Sequence, residues 1–279
     1  VSEKPVISAA NHTAAIRPAV IRRGRPPKVT EDERLINIRR HTPDMFTDSD
    51  PWRVLRIMGE FVEGFDELAD LEMAVTIFGS ARVTEDDPMY QAAVETARQL
   101  GEAGFNIITG GGPGIMEAGN KGATMAGVRS VGLNIELPFE QHLNPYTDTA
   151  LEFRYFFVRK MMFVKYACAF VIFPGGFGTL DELTEALVLI QTGKIRNFPV
   201  LLFNSAYWTG LLEWMRKTLE AEGKISDNDI DLMALVDSPE EVRSIVVHSV
   251  EDEDWWTTRE EGARATTRHH LGRPGAVQT

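Results

Sequence analysis

The sequence predicts an α/β protein built on a doubly wound parallel sheet with helices on both faces. Three observations predict it. Short apolar runs alternate with longer segments of helical periodicity. The apolar runs are nearly continuous rather than alternating, as expected of strands covered on both sides. Two of them end in glycine-rich loops that lead straight into helices, the place where such sheets bind ligands.

In order, strands are predicted at Ala74–Phe78, Asn106–Thr109, Ser130–Ile135, Ala169–Phe173 and Pro199–Phe203. Helices are predicted between them at Pro88–Ala103, Ile115–Ala126, Phe156–Tyr166 and Leu180–Gln191, and after them at Thr209–Ala221. A further helix precedes the first strand at Pro51–Leu71, where Val54, Ile57, Met58, Phe61, Phe65 and Leu68 recur at helical spacing.

Composition divides the chain into a flexible basic arm (1–45, with a short helix near Glu31–Arg40), one compact domain with its preceding helix (46–250), and a mostly disordered tail (251–279). Trp255 and Trp256 in that tail are suited to docking on the domain. A net charge of -12 argues against general nucleic-acid binding by the domain, because phosphate backbones repel an acidic surface. In the arm, Arg23-Gly24-Arg25-Pro26 is similar to the core of an AT-hook, which lies in narrow minor grooves. One short copy leaves a solvated arm as the favoured reading, so DNA is not an expected partner. The single cysteine, Cys168, sits in an apolar run and is expected to be an inert thiol. With no apolar stretch of the ~20 residues that span a bilayer and no signal-peptide core, the expected location is the cytoplasm, with no membrane partner.

The informative residues lie at the predicted carboxyl ends of the strands. The first strand runs into Gly79-Ser80-Ala81-Arg82, where Ser80 and Arg82 can reach an anion. The second runs into Gly110-Gly111-Gly112-Pro113-Gly114 and then the helix opening at Ile115-Met116-Glu117. A later one runs into Pro174-Gly175-Gly176-Phe177-Gly178-Thr179. Glycines let a ligand approach the main chain, and helix starts offer free N–H groups and partial positive charge, so either loop can cradle a phosphate. Alternatively, the glycines only turn the chain tightly. Neither loop fits the dinucleotide or triphosphate motifs.

Two further residues have two readings each. Thr179-x-x-Glu182 fits a capping box that ties down a helix start. If the loop holds a phosphate, Glu182 is instead placed against a sugar, where a carboxylate orients water and stabilises an oxocarbenium ion. Arg159 and Lys160 either form a solvated basic face, or Arg159 reaches the substrate or Glu182.

Taken together, Gly110-Gly111-Gly112-Pro113-Gly114-Ile115-Met116-Glu117, Arg159-Lys160-Met161-Met162 and Pro174-Gly175-Gly176-Phe177-Gly178-Thr179-Leu180-Asp181-Glu182 closely resemble the LOG ("Lonely guy") family over roughly residues 71 to 222. Its members are cytokinin riboside 5′-monophosphate phosphoribohydrolases, often mislabelled as lysine decarboxylases. The resemblance implies a Rossmann-like enzyme, working without a cofactor or metal, that splits AMP or its N6-modified relatives into free base and ribose 5-phosphate. It implies Arg159 and Glu182 as the catalytic pair. It implies substrate contacts at Ser80, Gly111, Gly112, Gly114, Met116, Lys160, Gly175, Gly176, Gly178 and Thr179. It also implies a homodimer or higher homo-oligomer, for which Phe156 to Phe163 is a suitable contact. Leu137 to Asn144, a segment expected to help shape the base pocket, departs from the plant-type pattern, as does the Met161-Met162 that follows Arg159-Lys160, and the longer bacterial branch of the family fits better. The alternative reading is a non-catalytic carrier of a nucleotide or molybdenum cofactor.

Overall fold

The computed structural model describes residues 29–36, 46, 49–138, 142–252 and 260–265. The seven strands of its sheet are all parallel, in the order β4-β3-β2-β1-β5-β6-β7. In chain order the elements are α1 (Glu31–Ile36), α2 (Asp50–Glu67), β1 (Ala74–Phe78), α3 (Pro88–Glu102), β2 (Asn106–Thr109), α4 (Ile115–Ala126), β3 (Ser130–Ile135) and β4 (Thr149–Phe153). They continue as α5 (Phe156–Tyr166), β5 (Ala167–Ile172), α6 (Phe177–Gln191), β6 (Val200–Phe203), α7 (Ser205–Trp214), β7 (Met233–Val236) and α8 (Pro239–Glu251).

The strands are buried on both faces because their side chains divide between two cores. Phe78, Phe170 and Ile172 face a core shared with α5, α6 and α7, where Phe163, Leu183 and Trp208 lie. Val75, Ile77, Ala169 and Val171 face a second core shared with α3, α4 and α8, through Ala93, Ala118 and Val246. Alternation along one strand sends neighbouring residues to opposite faces, so nearly every position has to be apolar. That requirement is why the central strands can be read from sequence.

Strand order reverses between β1 and β5, which are neighbours in the sheet although far apart in the chain. The loops after these two strands diverge to opposite faces and leave a crevice between them. Main-chain bonds join the loops at its floor, from Phe173 N to Phe78 O (2.8 Å) and from Ser80 N to Pro174 O (3.0 Å).

Three elements are absent from the sequence expectation. Strand β4 lies at the sheet edge with alternate residues facing out, so it lacks a continuous apolar run. Strand β7 is the opposite edge of the sheet, and its Ala234 and Leu235 are not fully buried, so it too lacks a continuous buried run. Helix α8 falls where acidic residues dominate, yet Val242 and Val246 lie one turn apart and are buried, and Ser238 caps its start by accepting from Glu241 N. Helices α6 and α7 begin at Phe177 and Ser205, ahead of the expected Leu180 and Thr209. The expected short helix near Glu31–Arg40 is observed as α1, with 37–40 outside the described residues. The AT-hook-like stretch and Trp255 and Trp256 also lie outside them. No helix among the described residues is long and apolar enough to cross a membrane.

Within the expected tail, residues 260–265 form a helical turn packed on the domain. The buried Glu260 carboxylate accepts from Asn197 N (2.9 Å) and Phe198 N (2.8 Å) and pairs with Arg264. Removing it strands a buried guanidinium and two amide donors. Glu260→Ala is therefore expected to lower the unfolding free energy by about 3 kcal/mol, as read from urea denaturation. A change below about 0.5 kcal/mol, the range of an ordinary surface substitution, would show that the docked turn adds nothing.

Candidate functional site

A cleft of about 640 Å³ occupies the crevice at the β1–β5 switch point. The β1 loop supplies Gly79, Ser80, Ala81 and Arg82, and the start of α6 supplies Gly176, Phe177, Gly178 and Thr179. Helix α5 supplies Phe156, Arg159 and Phe163, and Glu182 stands one turn into α6. Met116, Ile135, Leu137 and Leu180 complete an apolar side.

The start of α6 is open. Its N-cap is Gly176, and no side chain caps it. The first N–H groups of a helix have no intrahelical partner, and they carry the positive end of its dipole. Thr179 and Glu182 both lie inside the helix, so the reciprocal capping box is not formed. Thr179 instead packs on Gly175, where a β-carbon would fall 2.1 Å from its Oγ1. Tyr207 on α7 holds the same loop by donating to Gly175 O (2.7 Å). Glycine at 175 is thus a close-packing requirement, and the loop is braced from both sides.

Glu182 is 4% exposed. Burial pushes its carboxyl above the ordinary glutamate range, while Lys160 and Arg159 hold it back. Arg159 is half-buried, and desolvation lowers its pKa against the raising influence of Glu182, Asp181 and Asp32. The guanidinium lies over the Phe156 ring (4.9 Å) and near the Phe163 ring (5.5 Å). Its Nε has no hydrogen-bond partner among the described residues. A carboxylate and a guanidinium therefore share one cleft, coupled by charge, with donor capacity left on the arginine.

Lys160 is not on the cleft wall. Its Nζ lies 2.9 Å from Asp181, 3.3 Å from Glu182 and 2.7 Å from Glu185. Burial draws its pKa down, but the carboxylates outweigh burial and hold the ammonium above the ordinary lysine range. Adjacent basic residues thus have different surroundings: Arg159 faces the cleft, and Lys160 ties α5 to α6 behind Glu182.

Of the residues picked out by sequence, the cleft brings together Ser80, Met116, Arg159, Gly176, Gly178, Thr179 and Glu182. Gly111, Gly112, Gly114, Gly175 and Lys160 are not on its wall. Gly114 has φ of 70°, and a β-carbon there would lie 2.4 Å from Ser80 O, so the glycine lets two loops touch. Gly111 and Gly112 give their carbonyls to Asn144, at 2.9 Å from its N and 3.1 Å from its Nδ2. Asn144 is in turn held by the buried Asn120, whose Oδ1 also accepts from Thr109 Oγ1 (2.5 Å) and whose Nδ2 donates to Ser130 Oγ (2.8 Å). The triple-glycine loop is therefore anchored from beneath, and Gly110 and Met116 represent it in the cleft.

Sequence reasoning missed Asn120, because a lone polar residue in a helix carries no motif. Leu137, from the segment expected to shape the base pocket, does line the cleft, but the rest of its apolar side, Ile135, Phe156, Phe163 and Leu180, comes from separate elements and was missed. Phe177 is 92% exposed at the cleft mouth, an unusual place for a phenylalanine. Of the Leu137–Asn144 segment, residues 139–141 lie outside the described residues.

A family model described as possible lysine decarboxylase matches residues 116–246. The chemistry in that description needs a lysine that can condense with pyridoxal phosphate. Lys160, beside the cleft, is held protonated by three carboxylates and does not fit that part. Among curated proteins, the chain is similar to the probable cytokinin riboside 5′-monophosphate phosphoribohydrolase LOG4 of Oryza sativa subsp. japonica, with 30% identity over 60% of this chain and 74% of that protein. It is similar as well to cytokinin riboside 5′-monophosphate phosphoribohydrolase LOG3 of Arabidopsis thaliana, with 29% identity over 54% of this chain and 71% of that protein. Among solved structures, the molybdenum cofactor carrier protein of Chlamydomonas reinhardtii matches with a TM-score of 0.48 at 18% identity, covering 65% of this chain and 99% of that one. The relationship to the two plant proteins, joined to the glycine loops and the Arg159–Glu182 cleft, places the chain in the LOG family.

Proposed function

We propose that the cleft hydrolyses the N-glycosidic bond of a nucleoside 5′-monophosphate, either AMP or an N6-modified cytokinin riboside monophosphate. The products are the free base and ribose 5-phosphate. The observation that carries this reading is the burial of Glu182 beside Arg159, one helical turn from an uncapped helix start.

The phosphate binds at the start of α6, among the N–H groups of Gly178 and Thr179, with Ser80 and Arg82 facing it across the cleft. A carboxylate at that same point would repel it, and Glu182 is set one turn deeper, at the level of the sugar. There its negative charge stabilises the oxocarbenium character that develops as the C1′–N bond breaks. The same carboxylate orients the water that adds to C1′ and takes its proton, which then passes to the departing base. Arg159 holds the nucleotide by hydrogen bonds and offsets negative charge on the departing base. The apolar side receives the base and any N6 substituent. Exposed Phe157 and Met161 on the outer face of α5 support the expected homodimer or higher homo-oligomer.

Incubation with AMP or its N6-isopentenyl derivative is expected to release free base, as read by chromatography. Glu182→Gln is expected to lower kcat at least 100-fold, the scale of losing one preorganised electrostatic group, with nucleotide affinity changed less than about threefold. Turnover by the variant at the wild-type rate, or nucleotide binding by the wild type without any base release, contradicts the proposal.

The same substitution bears on stability. A carboxyl whose folded pKa is raised stabilises the fold, relative to neutral pH, only when protonated, and that contribution is lost as pH rises through its folded pKa. At pH 8 the ionised Glu182 is thus a cost to the fold, and Glu182→Gln is expected to raise Tm by about 2–4 °C. The gain is expected to shrink as pH falls through the raised pKa toward the ordinary glutamate range, and to be gone below that range, where the carboxyl carries its proton in folded and unfolded chains alike. Scanning calorimetry across pH reads the difference; a lower Tm for the variant at pH 8 refutes the assignment.

A further inference from the structure

Helix α5 delivers Arg159 to the cleft, but its own sequence supplies no cap. Tyr155 stands at the N-cap position without a side-chain bond to the helix. Three successive N–H groups at this start donate instead to carboxylates from far upstream. Glu60 on α2 accepts from Arg154 N (3.1 Å) and Tyr155 N (3.4 Å), and Asp32 on α1 accepts from Phe156 N (3.1 Å). Both acceptors precede the first strand and lie outside the family-matched residues 116–246.

The two carboxylates are not equivalent. Glu60 is buried under the turn, whereas Asp32 is half-buried beside the start of α5, on a segment anchored by its neighbour Glu31, which pairs with Arg56 at 2.9 Å. Asp32 also acts by charge on Arg159, and Glu60 is not among the groups that do. The residue whose N–H Asp32 holds, Phe156, is the one whose ring lies against the Arg159 guanidinium. One carboxylate thus touches the arginine's support and influences its charge.

We propose that Asp32 is a positioning residue for Arg159: it fixes the first turn of α5, and through it the Phe156 ring, and draws the guanidinium into its place in the cleft. The segment ahead of the sheet thereby belongs to the site, although it supplies no group that touches the substrate. This inference rests on Arg159 and Glu182 being the reacting pair.

Substitution of Asp32 in the full chain separates the two roles, because asparagine keeps the acceptor and loses the charge. With AMP as substrate, Asp32→Ala is expected to lower kcat about tenfold, somewhat beyond the loss of a helix cap alone. Asp32→Asn is expected to retain at least a third of the wild-type kcat. For both, KM is expected to stay within about twofold and Tm within about 3 °C, since Asp32 lies near the surface and Glu60 still holds the turn. Equal kcat in all three proteins overturns the proposal, as does an asparagine variant no faster than alanine. A loss carried by KM or Tm instead of kcat does so too. If the wild type releases no base, the assigned reaction fails separately, and crystal structures of the three proteins then read the position of Arg159. A guanidinium displaced in the alanine variant and less so in the asparagine variant supports positioning; one that is unmoved in both ends it.

Discussion

Keeping a carboxylate buried beside a guanidinium is the constraint on which the rest of the structure depends. Neither group is comfortable out of water: desolvation raises the pKa of Glu182 and lowers that of Arg159. Each is tolerable because the other stands near, and because Lys160 sits behind Glu182 and aromatic rings support Arg159. Close ion pairing would satisfy both groups and leave nothing for a ligand. The orphaned Arg159 Nε shows that satisfaction is incomplete. The site holds charge in reserve, and a phosphorylated, polar ligand is what that reserve suits.

Holding such a pair apart demands stiff surroundings, and the fold supplies them at every side. Parallel strands sandwiched between two cores place the β1 and β5 loops at fixed separation. The Asn120–Asn144 network secures the triple-glycine loop below the cleft, and the Tyr207 hydroxyl secures the loop before α6. Helix α5 is gripped at its start by carboxylates of α1 and α2 and leads directly into β5. Side chains on helices braced in this way hold their geometry better than side chains on free loops.

The sequence was most legible where one local rule decided the outcome. Five strands and most helices followed from apolar runs and periodicity, because the central sheet must be apolar on both faces. Edge strands β4 and β7, each with residues left in contact with solvent, gave too weak a pattern. At the site, Arg159 and Glu182 carried a motif. What the motif could not convey was which glycines face the ligand and which merely permit contact. Gly176 and Gly178 are on the cleft wall, while Gly114 and Gly175 make room for Ser80 and Thr179. That division depends on loops meeting in space, as do the apolar side of the cleft and the caps of α5, whose members are distant in the chain. Local spacing contains no record of them.

The central claim is geometric: phosphate at the opening of α6, sugar at Glu182, base toward the apolar side. A crystal structure of the Glu182→Gln protein with AMP tests it most directly. The account predicts phosphate oxygens within hydrogen-bond distance of the Gly178 and Thr179 N–H groups, with C1′ turned toward position 182 and Arg159 touching the nucleotide. A nucleotide seated with its base at the start of α6, or bound outside the cleft, would contradict it.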